Sequence, residues 1–263
     1  MTNHYKFCTL EKRDHIWIVT INRPDALNAL HPPTNYELES VFNDFDTDKN
    51  AWVAILTGAG NQSFSVGHDL KYQASGAKVT IPKTGFAGLT ARFDLDKPVI
   101  AAVNGFAMGG GFEIALACDL IVADQRAQFA LPEPRVGLAA LAGGIHRLSR
   151  QIGQKQAMDM LLTARKVGAE EGQRMGFVNR IVSVTDNTTV VDEAVKVAEQ
   201  MILCSPVSLQ MTKQMQRQGA DLADLETAVS YRYEAIDTLL SSNDFIEGPA
   251  AFAEKRAPKW SGS

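Results

Sequence analysis

Four short runs of the chain, 16–21 (Ile-Trp-Ile-Val-Thr-Ile), 52–57, 99–103 and 120–123, are almost wholly apolar, rich in Val and Ile, and closed by turn formers such as Asn22, Gly58 and Asn104. A strand with one wet face alternates apolar and polar residues, whereas a near-continuous apolar run belongs to a strand covered on both faces. That requirement restricts the chain to an α/β architecture in which helices layer onto a largely parallel sheet. Between the first two runs, Tyr36, Leu38, Val41, Phe42 and Phe45 recur at helical spacing, predicting a helix over 34–45 after Pro32-Pro33 stop the preceding segment. Beyond Asp186 the pattern becomes helical throughout. Helices are predicted over 191–203, over 205–218 with Ser205 as N-cap and Pro206 at the first helical position, and over 222–240. The expected organisation is an α/β core at 1–203 and a helical region at 204–263, with no linker of Gly, Ser or Pro between them beyond the polar stretch 183–189.

Composition narrows the function classes. The 263 residues are 45% hydrophobic, enough to bury a sizeable core. Lys and Arg number 26 against 30 Asp and Glu, a formal net charge of −4, and no basic stripe exists, which argues against nucleic acid as a partner. Cys8, Cys118 and Cys204 lie far apart without a CxxC, as expected of reduced thiols in the cytoplasm. No signal-peptide pattern or membrane-length apolar run is visible, so a cytoplasmic chain without membrane attachment is expected. The patterns Asn61-Gln62-Ser63 and Asn187-Thr188-Thr189 are then chance matches to a glycosylation site.

Most catalytic signatures fail. Gly58-Ala59-Gly60 has Ser63 at the third glycine position of a dinucleotide fingerprint, no Gly-Lys-Ser/Thr exists, and no GxSxG is present. Histidines 4, 15, 31, 68 and 146 fit no metal-binding spacing, so no metal site is expected.

The segment 99–124 survives. A strand runs into Gly109-Gly110-Gly111 and then into a short apolar helix over 112–118. Glycines cost roughly 1 kcal/mol each in a helix relative to alanine, so something should compensate. Close backbone packing is one explanation. The other is that unpaired N–H groups at a helix start face a ligand oxygen with no side chain in the way. Glu113, in the first turn, either caps the helix or projects beside whatever those groups hold. Upstream, Gly67 in Phe64-Ser65-Val66-Gly67-His68-Asp69-Leu70 permits a turn that presents the His68 N–H as a second donor. Downstream, Glu133 lies between Pro132 and Pro134, on stiff extended backbone with no helix to hide in.

In this order and spacing the motifs resemble the enoyl-CoA hydratase (crotonase) family. The likeness begins at Ile21-Asn22-Arg23-Pro24 and Ala26-Leu27-Asn28-Ala29-Leu30 and passes through Ile55-Leu56-Thr57-Gly58, the 64–70 segment, Asn104-Gly105 to Cys118-Asp119, Pro132-Glu133 and Gly143-Gly144. It ends at 247–256. The resemblance implies a spiral of strand, strand, helix turns with a C-terminal helical region that packs into a homotrimer or homohexamer. It implies that the N–H groups of His68 and Gly110 form an oxyanion hole for the thioester oxygen of an acyl-CoA, and that Glu113 and Glu133 hold the water of a hydratase, with no cofactor besides the CoA of the substrate. Residues 68–71 (His68, Asp69, Leu70, Lys71) would line the thioester and pantetheine, Arg23, Ala26 and Leu27 the nucleotide end. Phe252 and Lys255 would reach CoA, in one arrangement that of a neighbouring subunit. Leu141 stands where the family has a glycine amide near the catalytic water, and Pro134 and 139–142 also depart from its pattern. Phe86 and Phe93 are candidate acyl-pocket residues. Both glutamates being present favours reversible hydration of a 2-enoyl-CoA. The alternatives are Δ3-Δ2 isomerisation or other enolate chemistry on the same hole, and a non-catalytic CoA-ester or RNA-binding role.

Overall fold

The computed structural model describes residues 5–185 and 188–263. His4, Asp186 and Asn187, and with Asn187 the second glycosylation pattern, lie outside the described residues. The strands are β1 (Cys8–Arg13), β2 (Ile16–Ile21), β3 (Val53–Gly58), β4 (Ser63–Ser65), β5 (Val99–Val103), β6 (Phe106–Met108), β7 (Leu120–Asp124), β8 (Gln128–Ala130), β9 (Val167–Gly168) and β10 (Arg180–Val182). The helices are α1 (Pro32–Thr47), α2 (Leu70–Ala74), α3 (Gly110–Ala117), α4 (Gly144–Ile152), α5 (Gln154–Thr163), α6 (Ala169–Met175), α7 (Val190–Ile202), α8 (Pro206–Gly219), α9 (Leu225–Ser230), α10 (Glu234–Ser241) and α11 (Asn243–Ala253).

A six-stranded sheet runs β1-β2-β3-β5-β7-β10, parallel except for the β1–β2 hairpin, and a four-stranded sheet runs β4-β6-β8-β9. The chain repeats one path: a strand of the large sheet, a strand of the small sheet, then a helix. β3-β4-α2, β5-β6-α3 and β7-β8-α4 are three such turns. This is the spiral of strand, strand, helix units expected above.

Both faces of the large sheet are covered, which is why its central strands read as unbroken apolar runs. Successive side chains alternate between faces. Ile16, Ile18, Val53, Ile55, Ile100 and Val122 pack with Val190, Ala194, Val197 and Ala198 of α7. Trp17, Val19, Ile21, Leu56 and Ala101 point the other way, into a core with Leu38, Phe42 and Phe45 of α1.

Three elements differ from expectation. Pro32 and Pro33 open α1 rather than stopping the segment before it: the first helical positions need no amide donor, and proline's fixed φ suits them. The helix expected over 222–240 is two, α9 and α10. Tyr231 is extended at the break, and the Tyr233 hydroxyl, on a side chain buried behind it, donates to the Ala228 carbonyl at 2.8 Å. Glu133 does not sit on extended backbone but begins a 3-10 turn, Glu133–Val136, with Pro134 at its second position. Ser205 does cap α8, accepting from the Ser208 amide, with Pro206 next. The C-terminal helices are tied back by Trp260 Nε1 to the Leu203 carbonyl and by the Lys213 ammonium to Asp119. Cys8 and Cys118 are buried and Cys204 exposed, all unbridged. Among the described residues no helix is long and apolar enough to cross a membrane.

Candidate active site

The two glycine-bearing loops meet backbone to backbone. Gly67 takes φ +79°, and a Cβ there would stand 2.5 Å from the Gly110 nitrogen and 2.9 Å from the Met108 carbonyl oxygen. A Cβ on Gly110 would stand 3.3 Å from the Gly67 Cα and 3.1 Å from Phe86 Cε1, and one on Gly111 would collide with the Ser65 carbonyl. Close approach is therefore what the glycines allow, and it brings Gly67, the residue before His68, against Gly110. The loop is pinned from below: the Leu30 amide donates to the Gly67 carbonyl at 2.7 Å, the Asp69 amide to the Leu30 carbonyl at 3.0 Å, and the Gly67 amide to Ser65 Oγ at 3.1 Å. Those bonds leave out the His68 N–H. Gly110 is the first residue of α3, so its N–H has no acceptor within the helix. Neither amide donates to another group among the described residues.

Both residues line a cavity of about 1400 Å³, whose wall also includes Phe86, Glu113, Glu133 and Leu141. Glu113 is no N-cap. It falls a full turn into α3, its own amide donates to Gly109, and its Oε1 accepts from the Gly144 amide at 2.9 Å, at the first residue of α4. The Gly144 position is tight, since a Cβ there would lie 2.9 Å from Glu113 Cγ. Burial pushes the Glu113 carboxyl up to about 7. The Gly144 and Ala142 amides and Arg147 oppose that, and the neighbouring Glu133 adds to it. The Glu133 carboxyl lies over bare Gly109, where a Cβ would stand 3.1 Å from Oε1. Its Oε2 is buried without a hydrogen-bond partner, and burial raises its pKa as well. Burial disfavours the charged form of both carboxyls, so the pair can hold an acid and a base side by side.

Other expected residues sit apart from the cavity wall. Asp69 caps α2 by accepting from the Tyr72 amide and pairs with Arg23 at 2.9 Å. The Arg23 guanidinium also donates to the Ala29 carbonyl. Burial raises the Asp69 pKa, but the Tyr72 amide and Arg23 outweigh it and hold the carboxyl below its ordinary value. Ala26 and Leu27 lie beside the loop, with the Leu27 carbonyl accepting from the Val66 amide. Leu70 and Lys71 are exposed on α2, Phe252 is 87% exposed at the end of α11, and Lys255 is exposed beyond it. Leu141 lines the cavity, but its amide donates to the Ala139 carbonyl and so does not serve as a free donor. The amides of Gly144 and Ala142 serve Glu113 instead.

Three features escaped the sequence reading. Asn28, at φ +55° and fully buried, accepts from the Arg23 amide and donates to the Ala59 and Ser63 carbonyls, joining the first loop to β4. Gly144 holds Glu113, and Arg147 on the next turn of α4 lines the cavity. The Gly143-Gly144 pair ahead of a helix carried the same signal as the earlier glycine cluster.

Residues 11–263 match the family model described as Enoyl-CoA hydratase/isomerase. The chain is 42% identical over 259 residues to a carnitinyl-CoA dehydratase of Escherichia coli O157:H7, covering 96% of this chain and 97% of the relative. It is 43% identical over 252 residues to that of Citrobacter koseri, covering 93% and 94%. The crystal structure of enoyl-CoA hydratase from Mycobacterium tuberculosis H37Rv superposes with a TM-score of 0.90 at 37% identity, over 98% of this chain and 99% of that one.

Proposed function

The chain belongs to the enoyl-CoA hydratase/isomerase family, and from that premise we propose that it is a hydro-lyase, adding water across the C2=C3 bond of a 2-enoyl-CoA and removing it in reverse. The observation that carries this reading is one cavity lined by His68 and Gly110, whose amides donate to no acceptor among the described residues, and by Glu113 and Glu133, whose carboxyls burial makes harder to ionise. The names of the relatives, dehydratase and hydratase, describe the two directions of such a reaction.

In the proposed mechanism the thioester oxygen accepts from both amides, which stabilise the enolate charge it gains as water attacks C3. Each preorganised donor of this kind is worth about 3 kcal/mol. The ionised Glu113 takes a proton from the attacking water, whose oxygen bonds to C3, and the protonated Glu133 gives its proton to C2. The π electrons pass through the enolate to form the new C2–H bond, and one water is added with no change of oxidation state. Proton transfer and addition need no cofactor, so CoA enters only as part of the substrate. The Arg23–Asp69 pair holds the loop that aims His68.

Incubating crotonyl-CoA with the protein should remove its conjugated absorbance. Glu113→Gln and Glu133→Gln should each lower turnover by at least about two orders of magnitude. Failure to hydrate 2-enoyl-CoAs of any chain length would refute the reading.

A further inference from the structure

One ring touches both residues whose amides the proposed mechanism uses. Phe86 is 8% exposed and lines the cavity. A Cβ on Gly110 would stand 3.1 Å from Phe86 Cε1 and 3.2 Å from Cδ1, so the ring packs onto the bare Cα at the start of α3. The His68 imidazole meets the same ring edge-on, with centroids 6.1 Å apart and an interplanar angle of 72°. In that arrangement the positive edge of one ring faces the negative face of the other. The imidazole is tethered as well, its Nε2 lying 2.9 Å from Oε1 of Gln73 on α2.

The turn that carries Phe86 is held in a conformation that needs compensation. Gly85, Ala87 and Gly88 take φ +83°, +53° and +67°. Alanine at positive φ is disfavoured by its own Cβ, and residues held this way persist only where their surroundings over-determine them, commonly at functional sites. Here the surroundings are α1 and Thr90. The Ala87 amide donates to Oδ1 of the buried Asn35 at 2.9 Å, the Phe86 amide to Thr90 Oγ1 at 2.8 Å, and Thr84 Oγ1 to Glu39 Oε1 at 2.7 Å. Gly88 lies so close to α1 that a Cβ there would stand 2.5 Å from the Glu39 Cα. An apolar ring needs no such fastening merely to be buried, but a ring that must stand at one place does.

Resting on the functional reading above, we propose that Phe86 is a positioning residue for the oxyanion pair: its ring, against Gly110 and the His68 side chain, fixes these two residues relative to each other and keeps water from their amides. The close approach of Gly67 to Gly110 joins the two loops through backbone, and Phe86 joins them through side chains, so the pair is held at two points. Donors fixed before the reaction stabilise a developing oxyanion without reorganisation, and they act more strongly where water is excluded. In this role Phe86 touches no reacting atom and acts through His68 and Gly110.

The test reads the polarisation of a bound thioester. Hexadienoyl-CoA, conjugated through both double bonds, absorbs at longer wavelength as its carbonyl oxygen accepts hydrogen bonds, and hydration would shrink the band without moving it. With the intact wild type in excess the maximum should move to the red. Phe86→Leu should lose part of that shift and Phe86→Ala at least about half of it. With crotonyl-CoA, Phe86→Ala should lower kcat at least about tenfold while KM stays within about threefold, the pattern of an interaction lost in the transition state. Thr90→Val removes the acceptor of the Phe86 amide and keeps the ring, so it should lose part of the shift even if neither Phe86 variant folds. A full shift in Phe86→Ala or in Thr90→Val, or a raised KM with unchanged kcat, makes Phe86 a mere wall of the cavity and overturns the proposal. A wild type that produces no shift overturns it too. Crotonyl-CoA turnover by the wild type reports separately on hydration. A shift that depends on Phe86 without turnover strikes only the hydratase reading, and turnover with a shift indifferent to Phe86 strikes only the positioning role.

Discussion

The Glu113 carboxyl, pushed up to about 7 by burial, makes folding stability depend on pH. A carboxyl free in the unfolded chain titrates near 4.5, so between roughly pH 4.5 and 7 the folded protein binds more protons than the unfolded one. This group therefore costs nothing below that window, and its contribution turns unfavourable as pH rises through it. Glu113→Gln removes the charge and keeps an oxygen for the Gly144 amide. Relative to wild type, the variant should gain stability between pH 5 and pH 8, by on the order of 3 kcal/mol, read by urea unfolding at the two values. An unchanged difference would mean that Glu113 is not held protonated by its surroundings. Glu113 and Glu133 were visible as candidates because a carboxylate in an apolar helix start and one between prolines are each locally anomalous. Arg147 was not: an arginine in HRLSR is unremarkable until the fold sets it against Gly143 in the cavity wall.

At the scale of elements, the site depends on two loops that touch through Gly67, Gly110 and Gly111. A methyl group at Gly67 meets backbone atoms of Gly110 and Met108, which have no flexible end to move aside, and φ +79° disfavours any other residue. Gly67→Ala should therefore displace the His68 amide and lower kcat at least about a hundredfold, with circular dichroism unchanged. Gly168→Ala, where the new methyl meets nothing within 4 Å, should leave kcat within about twofold. Equal activity of the two variants would show that the close approach does not matter. The same scale explains which elements were legible. The central strands were, because sandwiching between α1 and α7 makes them apolar at every position. β1 was not, since as an edge strand most of its residues face water, and β4, β6, β8 and β9 have only two or three residues each, too few to show a period. The Tyr231 break was hidden for a different reason: it interrupts a sequence whose helical spacing continues across it, and the buried Tyr233 hydroxyl bond that accompanies it is a tertiary contact.

The single chain leaves one surface unexplained. Leu225 and Val229, at successive turns of α9, are 78% and 77% exposed, and Ile246 and Phe252 on α11 are 70% and 87% exposed. Large side chains so open to water are concentrated in the C-terminal helices, whereas those of the α/β core are mostly packed away. Apolar surface of this kind is the usual mark of an interface, and closed symmetric assemblies are its commonest form. The number of copies that the family resemblance implies is three or six, and we expect the protein to run in solution as such an assembly rather than as one chain of 28.6 kDa, with α9 and α11 between subunits. Static light scattering at micromolar concentration reads the mass directly. Leu225→Asp combined with Val229→Asp places two charges on one helix face without touching the core, so it should lower the mass toward that of one chain while helix content persists. If the wild type is already monomeric, or the double variant keeps the larger mass, then α9 is not at an interface and its exposed side chains need another explanation.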